Sequence, residues 1–453
     1  MLERTIAAVA TPAGDGALGV IRISGGDAVL VADKVFFAYS GKALASMEGY
    51  CAAYGEVRDG DTVLDDAVAL VFRAPHSFTG EDTVEITLHG GSIMLRSVLR
   101  LILKNGAFSA EPGEFTKRAF LNGKTDLARA ESIMGLISAQ SEAELKLSRQ
   151  AHNGRISKKI AAIEQDLVGA DASIAAYSDY PDEDIEGLDP ESFKKMLTGI
   201  KNELETILRD YDAGRVIREG IDTAIVGKPN VGKSTLMNML SGTDRSIVTE
   251  IAGTTRDIIE ETVTVGDIIL RLSDTAGIRE TEDKVESIGV ERARNKISSS
   301  QLVLAVFDGT EELSKDDINL INELSSENTV IIVNKTDLDN KIDMNRFEGF
   351  KTVETSAKEG KGYEELKKAV ADVTRASSLR PESVVLISER QRACAQRALD
   401  GVNEAVSALE MGHTMDAVGV CVDDALSALL ELTGKRVTNR VTDEIFSRFC
   451  VGK

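Results

Sequence analysis

IDTAIVGKPNVGKST, from Ile221 to Thr235, decides how the chain is read. A β-rich run leads into a glycine-flanked loop, and the loop opens onto a helix-forming segment. Gly227 and Gly232 let the loop curl so that backbone N–H groups point inward, the arrangement that cradles phosphates. In that arrangement Lys233 reaches the outer phosphates and the Ser234 hydroxyl ligates magnesium. The strand–loop–helix context, rather than the letters alone, predicts a nucleotide phosphate site.

The stretches downstream follow in the order of a guanine-nucleotide hydrolase. IAGTTRD (Ile251 to Asp257) offers Thr255 as a second magnesium ligand beside the γ-phosphate. LSDTAG (Leu272 to Gly277) ends a strand with Asp274 near the magnesium shell and Gly277 facing the γ-phosphate. IIVNKTD (Ile331 to Asp337) ends another strand. There Asp337 can accept both N–H groups of guanine's Watson–Crick edge, and Asn334 supports the base loop. ETSAK (Glu354 to Lys358) matches the loop that contacts guanine O6. The candidate nucleotide contacts are Asn230, Val231, Gly232, Lys233, Ser234 and Thr235 in the phosphate loop. Thr249, Glu250, Ile251, Ala252, Gly253, Thr254 and Thr255 follow, then Asp274, Thr275, Ala276 and Gly277. Asn334, Lys335, Asp337, Ser356, Ala357 and Lys358 complete the base side.

One position departs from the Ras pattern, in which a glutamine after the glycine orients the attacking water. Here it is Ile278, which has no polar group to offer. Arg279 and Glu286 follow soon after. Asn230 has an amide oxygen able to help hold a monovalent cation against the phosphates, in place of an arginine finger.

Outside this block the pattern changes. In the first ~120 residues, VIRIS (Val20 to Ser24) and TVEITLH (Thr83 to His89) predict strands, the second with Val84, Ile86 and Leu88 on one face. Ser92 to Gly106 predicts a glycine-capped helix. From Leu127 to about Leu208 the chain reads as long helices, broken by an acidic loop from Ser178 to Ser192. Residues from Ile221 to about Thr374 alternate β and α, the mark of a parallel sheet. Helical patterns return after Pro381, which predicts an α/β block inserted into a helical domain. The expected boundaries are 1–118, 119–215, 216–378 and 379–453.

The chain has 453 residues, 42% hydrophobic and 28% charged, with a net charge of −21. That length suits two to four domains of ~100–200 residues each. The absence of a long apolar run or a signal-type N-terminus predicts a cytoplasmic protein without a membrane span. Such acidity argues against gripping nucleic acid over a broad face, so RNA contact needs a local patch or a partner's surface. Lys146 to Lys159 and Arg390 to Arg397 are basic enough, though each reads first as a solvated helix face. Cys51, Cys394, Cys421 and Cys450 lack zinc spacing and read as reduced thiols, buried ones acting as small hydrophobes. Cys450, beside Phe446 and Phe449, reads as a buried hydrophobe or as part of a site. His76, His89, His152 and His413 form no cluster.

Taken together, the quoted stretches resemble the MnmE (TrmE) family of tRNA-modification GTPases. The resemblance is carried by GKPNVGKST, TEIAGTTRDII, DTAGIRE, DKVESIGVERA and NKTD, and by the terminal FCVGK. TPAGDGALGVIRISG, SFTGEDTVEITLHGG and PGEFTKRAFLNGKTDLARAE carry it in the N-terminal part. It implies a multidomain α/β plus α fold: a small N-terminal folate-binding α/β domain, a helical domain and an inserted Ras-like P-loop GTPase domain. It implies potassium held by Asn230, Thr249, Ile251 and Thr254, magnesium by Ser234 and Thr255, and Glu286 as the catalytic residue that orients water. It implies a tetrahydrofolate derivative, 5,10-methylene or 5-formyl, held by Arg22, Glu85, Lys124 and Lys453, with Cys450 nearby as a candidate modification site. Read alone, Glu85 is an exposed strand carboxylate, and Arg22 and Lys124 are ordinary surface cations. The implied partners are an FAD-dependent MnmG (GidA) protein, tRNA and a second copy through the N-terminal domain, with transient pairing of G domains. The implied activity is GTP hydrolysis serving aminomethyl-type substitution at C5 of wobble uridine. A ribosome-assembly switch of the Era/Der type shares the G-domain motifs, but no basic KH-like module with a GxxG loop is found here.

Overall fold

Both stretches read as strands near the N-terminus fall in one sheet. In the computed structural model, which describes residues 4–179, 190–243, 261–272, 297–380 and 382–453, two units divide the chain. One is Met1–Met134 with Leu426–Lys453, and the other is Gly135–Ala425.

In the first unit, β1 (Ile6–Val9), β2 (Leu18–Ser24), β3 (Phe36–Ala38), β4 (Cys51–Asp59), β5 (Thr62–Phe72), β6 (Thr83–His89) and β7 (Phe108–Ser109) form a sheet. Its order is β3-β4-β5-β6-β2-β1-β7, antiparallel except where β7 runs parallel to β1. The period-2 pattern of β6 turns Val84, Ile86 and Leu88 inward, and all three are buried. Helices α1 (Ala28–Asp33) and α2 (Ser92–Lys104) cover that face. Helix α2 buries Leu95, Val98, Leu101 and Ile102 at helical spacing and is followed by Gly106 at φ +120°. Tyr39, Tyr54, Val63 and Val68 stay exposed on β4, β5 and the turn after β3.

Helices α3 (Glu114–Leu121) and α4 (Leu127–Ser138) follow the sheet. Phe446 and Phe449, at the end of the chain, pack into a cluster with Leu127, Ala130, Ile133 and Phe120. Leu426–Lys453 therefore groups with the N-terminal sheet.

The second unit contains α5 (Glu142–His152), α6 (Arg155–Asp179) and α7 (Pro190–Glu219). Most of the acidic break between the two long helices lies outside the described residues. Next come β8 (Ile221–Val226), α8 (Lys233–Thr243), β9 (Glu261–Val265), β10 (Ile268–Leu272) and β11 (Leu302–Asp308). They are followed by α9 (Lys315–Glu323), β12 (Thr329–Asn334), β13 (Lys351–Glu354) and α10 (Tyr363–Val373). The sheet order is β13-β12-β11-β8-β10-β9, parallel except for the β9–β10 pair. Strand β11 shows why LVLAVFD reads as continuous apolar sequence. Leu302, Leu304 and Val306 enter one core cluster, while Val303, Ala305 and Phe307 enter another.

Helix α11 (Glu389–Glu410) packs along α7, and α12 (Met415–Thr433) and α13 (Asn439–Ser447) complete the chain. The chain leaves α7 and returns to α11 side by side. The Tyr211 hydroxyl donates to Glu389 Oε2 at 2.9 Å, and Arg218 Nη1 donates to the Ile387 carbonyl. Adjacent entry and exit are what an inserted block requires.

Candidate functional site

Strand β8 delivers the chain to a loop that only unusual backbone angles can close. Gly227 sits at φ +142°, Asn230 at +64° and Gly232 at +100°. A side chain at 232 is excluded by space as well as angle, because its Cβ would lie 2.1 Å from Asn334 Nδ2. Helix α8 begins directly after the loop and aims its free N–H groups at the space a phosphate would take. Ser234 and Thr235 are exposed in its first turn. Lys233 Nζ folds back to donate to the carbonyls of Gly227 (2.8 Å) and Lys228 (2.5 Å), and burial pushes its pKa down.

The base loop is tied to the phosphate loop by Asn334, which is buried at the end of β12. Its Nδ2 donates to Val231 O at 2.9 Å, while its Oδ1 accepts from Ala357 N at 3.0 Å and from Thr355 Oγ1 at 3.3 Å. Asp337 is exposed and accepts from Ser356 Oγ at 2.7 Å. That hydroxyl is the main reason its carboxyl titrates below the usual range. Lys335, at φ +67°, donates to Asp308 Oδ2 at 2.5 Å. Burial pushes the Asp308 carboxyl up, but Lys335 and Thr310 outweigh this and hold it low. Lys358 is exposed beside the base loop.

The structure thus brings Asn230, Val231, Gly232, Lys233, Ser234 and Thr235 together with Asn334, Lys335, Asp337, Ser356, Ala357 and Lys358. Thr249, Glu250, Ile251, Ala252, Gly253, Thr254, Thr255, Asp274, Thr275, Ala276, Gly277, Ile278, Arg279 and Glu286 lie outside the described residues. Sequence reasoning missed Asp308, Asp317 and the role of Lys228. SKDD (Ser314 to Asp317) carries a signal for one of them, since Ser-x-x-acid marks a capping box.

In the other unit, Arg22 and Glu85 stand opposite each other on β2 and β6. Arg22 Nε donates to Glu85 Oε1 at 2.8 Å and its Nη2 lies 2.7 Å from the same oxygen. The guanidinium lies 5.3 Å from the ring centre of Phe78 and 5.6 Å from that of Phe115. Glu85 is therefore no lone strand carboxylate. The C-terminal tail docks here by its backbone. Arg22 Nη1 donates to Gly452 O at 3.4 Å, Gly113 N to Cys450 O at 3.3 Å, and Phe115 N to Lys453 O at 3.2 Å. Gly452, at φ +94°, is packed so close that a Cβ would lie 2.4 Å from Val9 O.

Lys124 is exposed, and its Nζ donates to Pro75 O at 2.9 Å, on the loop that carries Phe78. Arg118, fully buried, was missed. It binds Glu81 at 3.1–3.2 Å and Glu114 at 2.8 Å, which fixes the same loop. Cys450 is exposed, correcting the reading of it as a buried hydrophobe, because the tail packs through backbone groups. Of the other cysteines only Cys394 is buried. Among the described residues no His, Cys, Asp and Glu cluster could hold a metal ion, and no helix is long and apolar enough to cross a membrane.

The curled loop at a helix start, with Asp337 and the Thr355–Lys358 loop beside it, defines a guanine-nucleotide P-loop GTPase. Comparison with known proteins narrows this class. The model of the MnmE helical domain matches residues 127–450, and that of the GTP-binding protein TrmE N-terminus matches residues 5–124. The tRNA modification GTPase MnmE of Listeria welshimeri serovar 6b is 40% identical over 99% of this chain and 99% of its own length. That of Bacillus subtilis (strain 168) is 39% identical over 99% of this chain and all of its own length. Among solved structures, the G domain of the T. maritima FeoB iron transporter is 25% identical over 34% of this chain and 98% of its own, with a TM-score of 0.26. The chain belongs to the MnmE family of tRNA modification GTPases.

Proposed function

We propose that this protein is a potassium-dependent GTP hydrolase that works in the modification of wobble uridine at C5 in tRNA, using a folate one-carbon unit. The observation that carries the potassium reading is Asn230. It sits exposed at φ +64° in the phosphate loop, between two glycines that are themselves at positive φ. With Ile278 where Ras-type enzymes have glutamine, charge developing on the phosphates needs another source of compensation. A potassium ion held by Asn230, Thr249, Ile251 and Thr254 would supply positive charge of the kind an arginine finger supplies. Ser234 and Thr255 would hold magnesium, and Glu286 would orient the attacking water.

The chain's own described residues do the binding. The loop N–H groups and Lys233 take the phosphates, Asp337 accepts the guanine N–H groups, and Asn334 keeps the two loops at a fixed spacing. In the N-terminal unit, Arg22, Glu85, Lys124 and Lys453 are the groups for a reduced folate, its carboxylates suiting the cations. Cys450, exposed on the docked tail, lies close enough in sequence to Gly452 to act beside that ligand. The exposed Tyr39, Tyr54 and Val68 support a homodimer through this unit. We keep the boundaries 1–118, 119–215, 216–378 and 379–453, a cytoplasmic location, transient pairing of G domains and an MnmG-type FAD partner as parts of this reading. The net charge of −21 fits a partner that supplies much of the tRNA surface.

The test is GTP turnover in potassium and in sodium at equal ionic strength. Turnover confined to potassium supports the reading, and equal rates in both salts refute the cation role of Asn230.

A further inference from the structure

Among the described residues, side chains from two other parts of the chain anchor the phosphate loop, and one of the two anchors lies outside base recognition. At its C-terminal side Asn334 holds Val231. At its N-terminal side the Lys228 side chain turns to the start of α9. There its Nζ donates to Asp317 Oδ2 at 2.6 Å and to Ser314 Oγ. Asp317 is buried, and the same oxygen also accepts from Ser314 N and Ser314 Oγ, both at 2.9 Å. The two residues form a complete capping box on α9. A nearly buried carboxylate needs a counter-charge, and Lys228 is the ion-pair partner the structure gives it.

We propose that Lys228 is a positioning residue, locked by Asp317 and Ser314, that holds the strained phosphate loop in its nucleotide-binding shape. This rests on the guanine-nucleotide reading above. Backbone at positive φ persists only where surrounding contacts over-determine it. Asn230 bears that strain between Lys228 and Val231, so an anchor on each side is what keeps the curl closed. Lys233 supplies the phosphate cation, leaving Lys228 free for this work. The connection from β11 to α9 meets both ends of the nucleotide site. Asp308 at its start pairs with Lys335 of the base loop, and Ser314 at its end meets Lys228. Loss of the lock lets the loop sample other shapes, so part of the binding free energy goes into re-ordering it. Substrate and transition state then weaken together, which raises KM and spares kcat.

The experiment measures release of a fluorescent GDP analogue from the full chain by stopped flow, and GTP turnover alongside. The variants are Lys228→Met, Lys228→Arg, Asp317→Asn and the double Lys228→Met/Asp317→Asn. Asp317→Asn removes the ion pair without stranding a buried charge, so it keeps the comparison valid if Lys228→Met folds poorly. The expected result is release about tenfold faster for Lys228→Met and for Asp317→Asn, the size of a lost charge-assisted hydrogen bond. The double variant should be no faster than either single one, because both remove the same contact. Lys228→Arg should stay within about threefold of wild type, since it keeps the charge–carboxylate pair. In Lys228→Met and Asp317→Asn the KM should rise while kcat holds. Release from Asp317→Asn at the wild-type rate, or a double variant whose effect is the product of the two, would overturn the lock. Wild-type protein that binds no guanine nucleotide would instead overturn the underlying reading.

Discussion

Asn334 Nδ2 donates to the carbonyl oxygen of Val231 at 2.9 Å, so one buried amide sets the spacing between the base loop and the phosphate loop. The same side chain accepts from Ala357 N through its Oδ1. Three separated stretches of sequence thus meet on one residue, and its surroundings leave no room for extra atoms.

That crowding gives a direct prediction. Gly232→Ala would bring a Cβ to 2.1 Å from Asn334 Nδ2 at a backbone angle of φ +100°. Either strain or a broken Asn334–Val231 contact follows. GTP affinity, measured by calorimetry, should fall at least about tenfold, the order expected from strain of ~1–3 kcal/mol. The fold of the N-terminal sheet should be untouched.

Asp337→Asn should turn preference from guanine toward xanthine nucleotides. A carboxylate can accept from both N–H groups of a guanine edge, whereas an amide presents one acceptor and one donor group. Competition binding with GTP and XTP reads the change. Because Ser356 holds the Asp337 carboxyl below its usual range, wild-type recognition should stay flat from pH 8 down to about pH 5, above the ordinary carboxylate range. Loss appears only as pH falls through that lowered value.

Arg22→Ala should weaken binding of 5-formyl-tetrahydrofolate to the full chain by about tenfold or more, as expected for a lost charge-assisted contact. Isothermal calorimetry and protection against thermal unfolding both report it. Arg22 also grips Gly452 O, so the variant should make the C-terminal tail more open to carboxypeptidase. Normal folate binding with a loosened tail would separate the two roles and remove Arg22 from the ligand site.

The phosphate loop is legible in the sequence because it is local. The strand, glycines and helix start of GKPNVGKST lie within one short stretch, so residue order alone places them. TVEITLH likewise declares its buried face through Val84, Ile86 and Leu88. Lys228 and Asp317 are 89 positions apart, and nothing in either neighbourhood points to the other. Arg22 and Glu85 meet only because β2 pairs with β6 in that register. Cys450 sits close to aromatic residues, which favours burial, yet the tail docks through the carbonyls of Cys450, Gly452 and Lys453. Backbone docking leaves no trace in side-chain hydropathy.

Glu144 offers a stability test in the second unit. It is buried on α5, and burial is the main cause that raises its pKa. A raised folded value means that the protonated form suits the fold. This contribution is full below the unfolded value, near 4.3, and is lost as pH rises through the folded value. Glu144→Gln keeps an acceptor for Gln140 N. It should raise the unfolding midpoint by about 1–2 °C at pH 7.5. The difference should vanish near pH 4, below the ordinary glutamate range. Calorimetric scans at the two pH values check the sign.

Whether GTP hydrolysis in this chain serves modification of wobble uridine is read by mass spectrometry of nucleosides from tRNA. Cells lacking the protein are compared with the same cells given back the wild-type chain, Glu286→Ala or Asp337→Asn. Glu286→Ala should retain GTP binding but lose turnover by about 10²–10⁴-fold, as expected for a lost water-positioning group. C5-aminomethyl-type uridines should disappear from the wobble position without the protein. They should return with the wild-type chain and stay missing with either variant. Wobble uridines carrying their full C5 substitution in cells without the protein would contradict it.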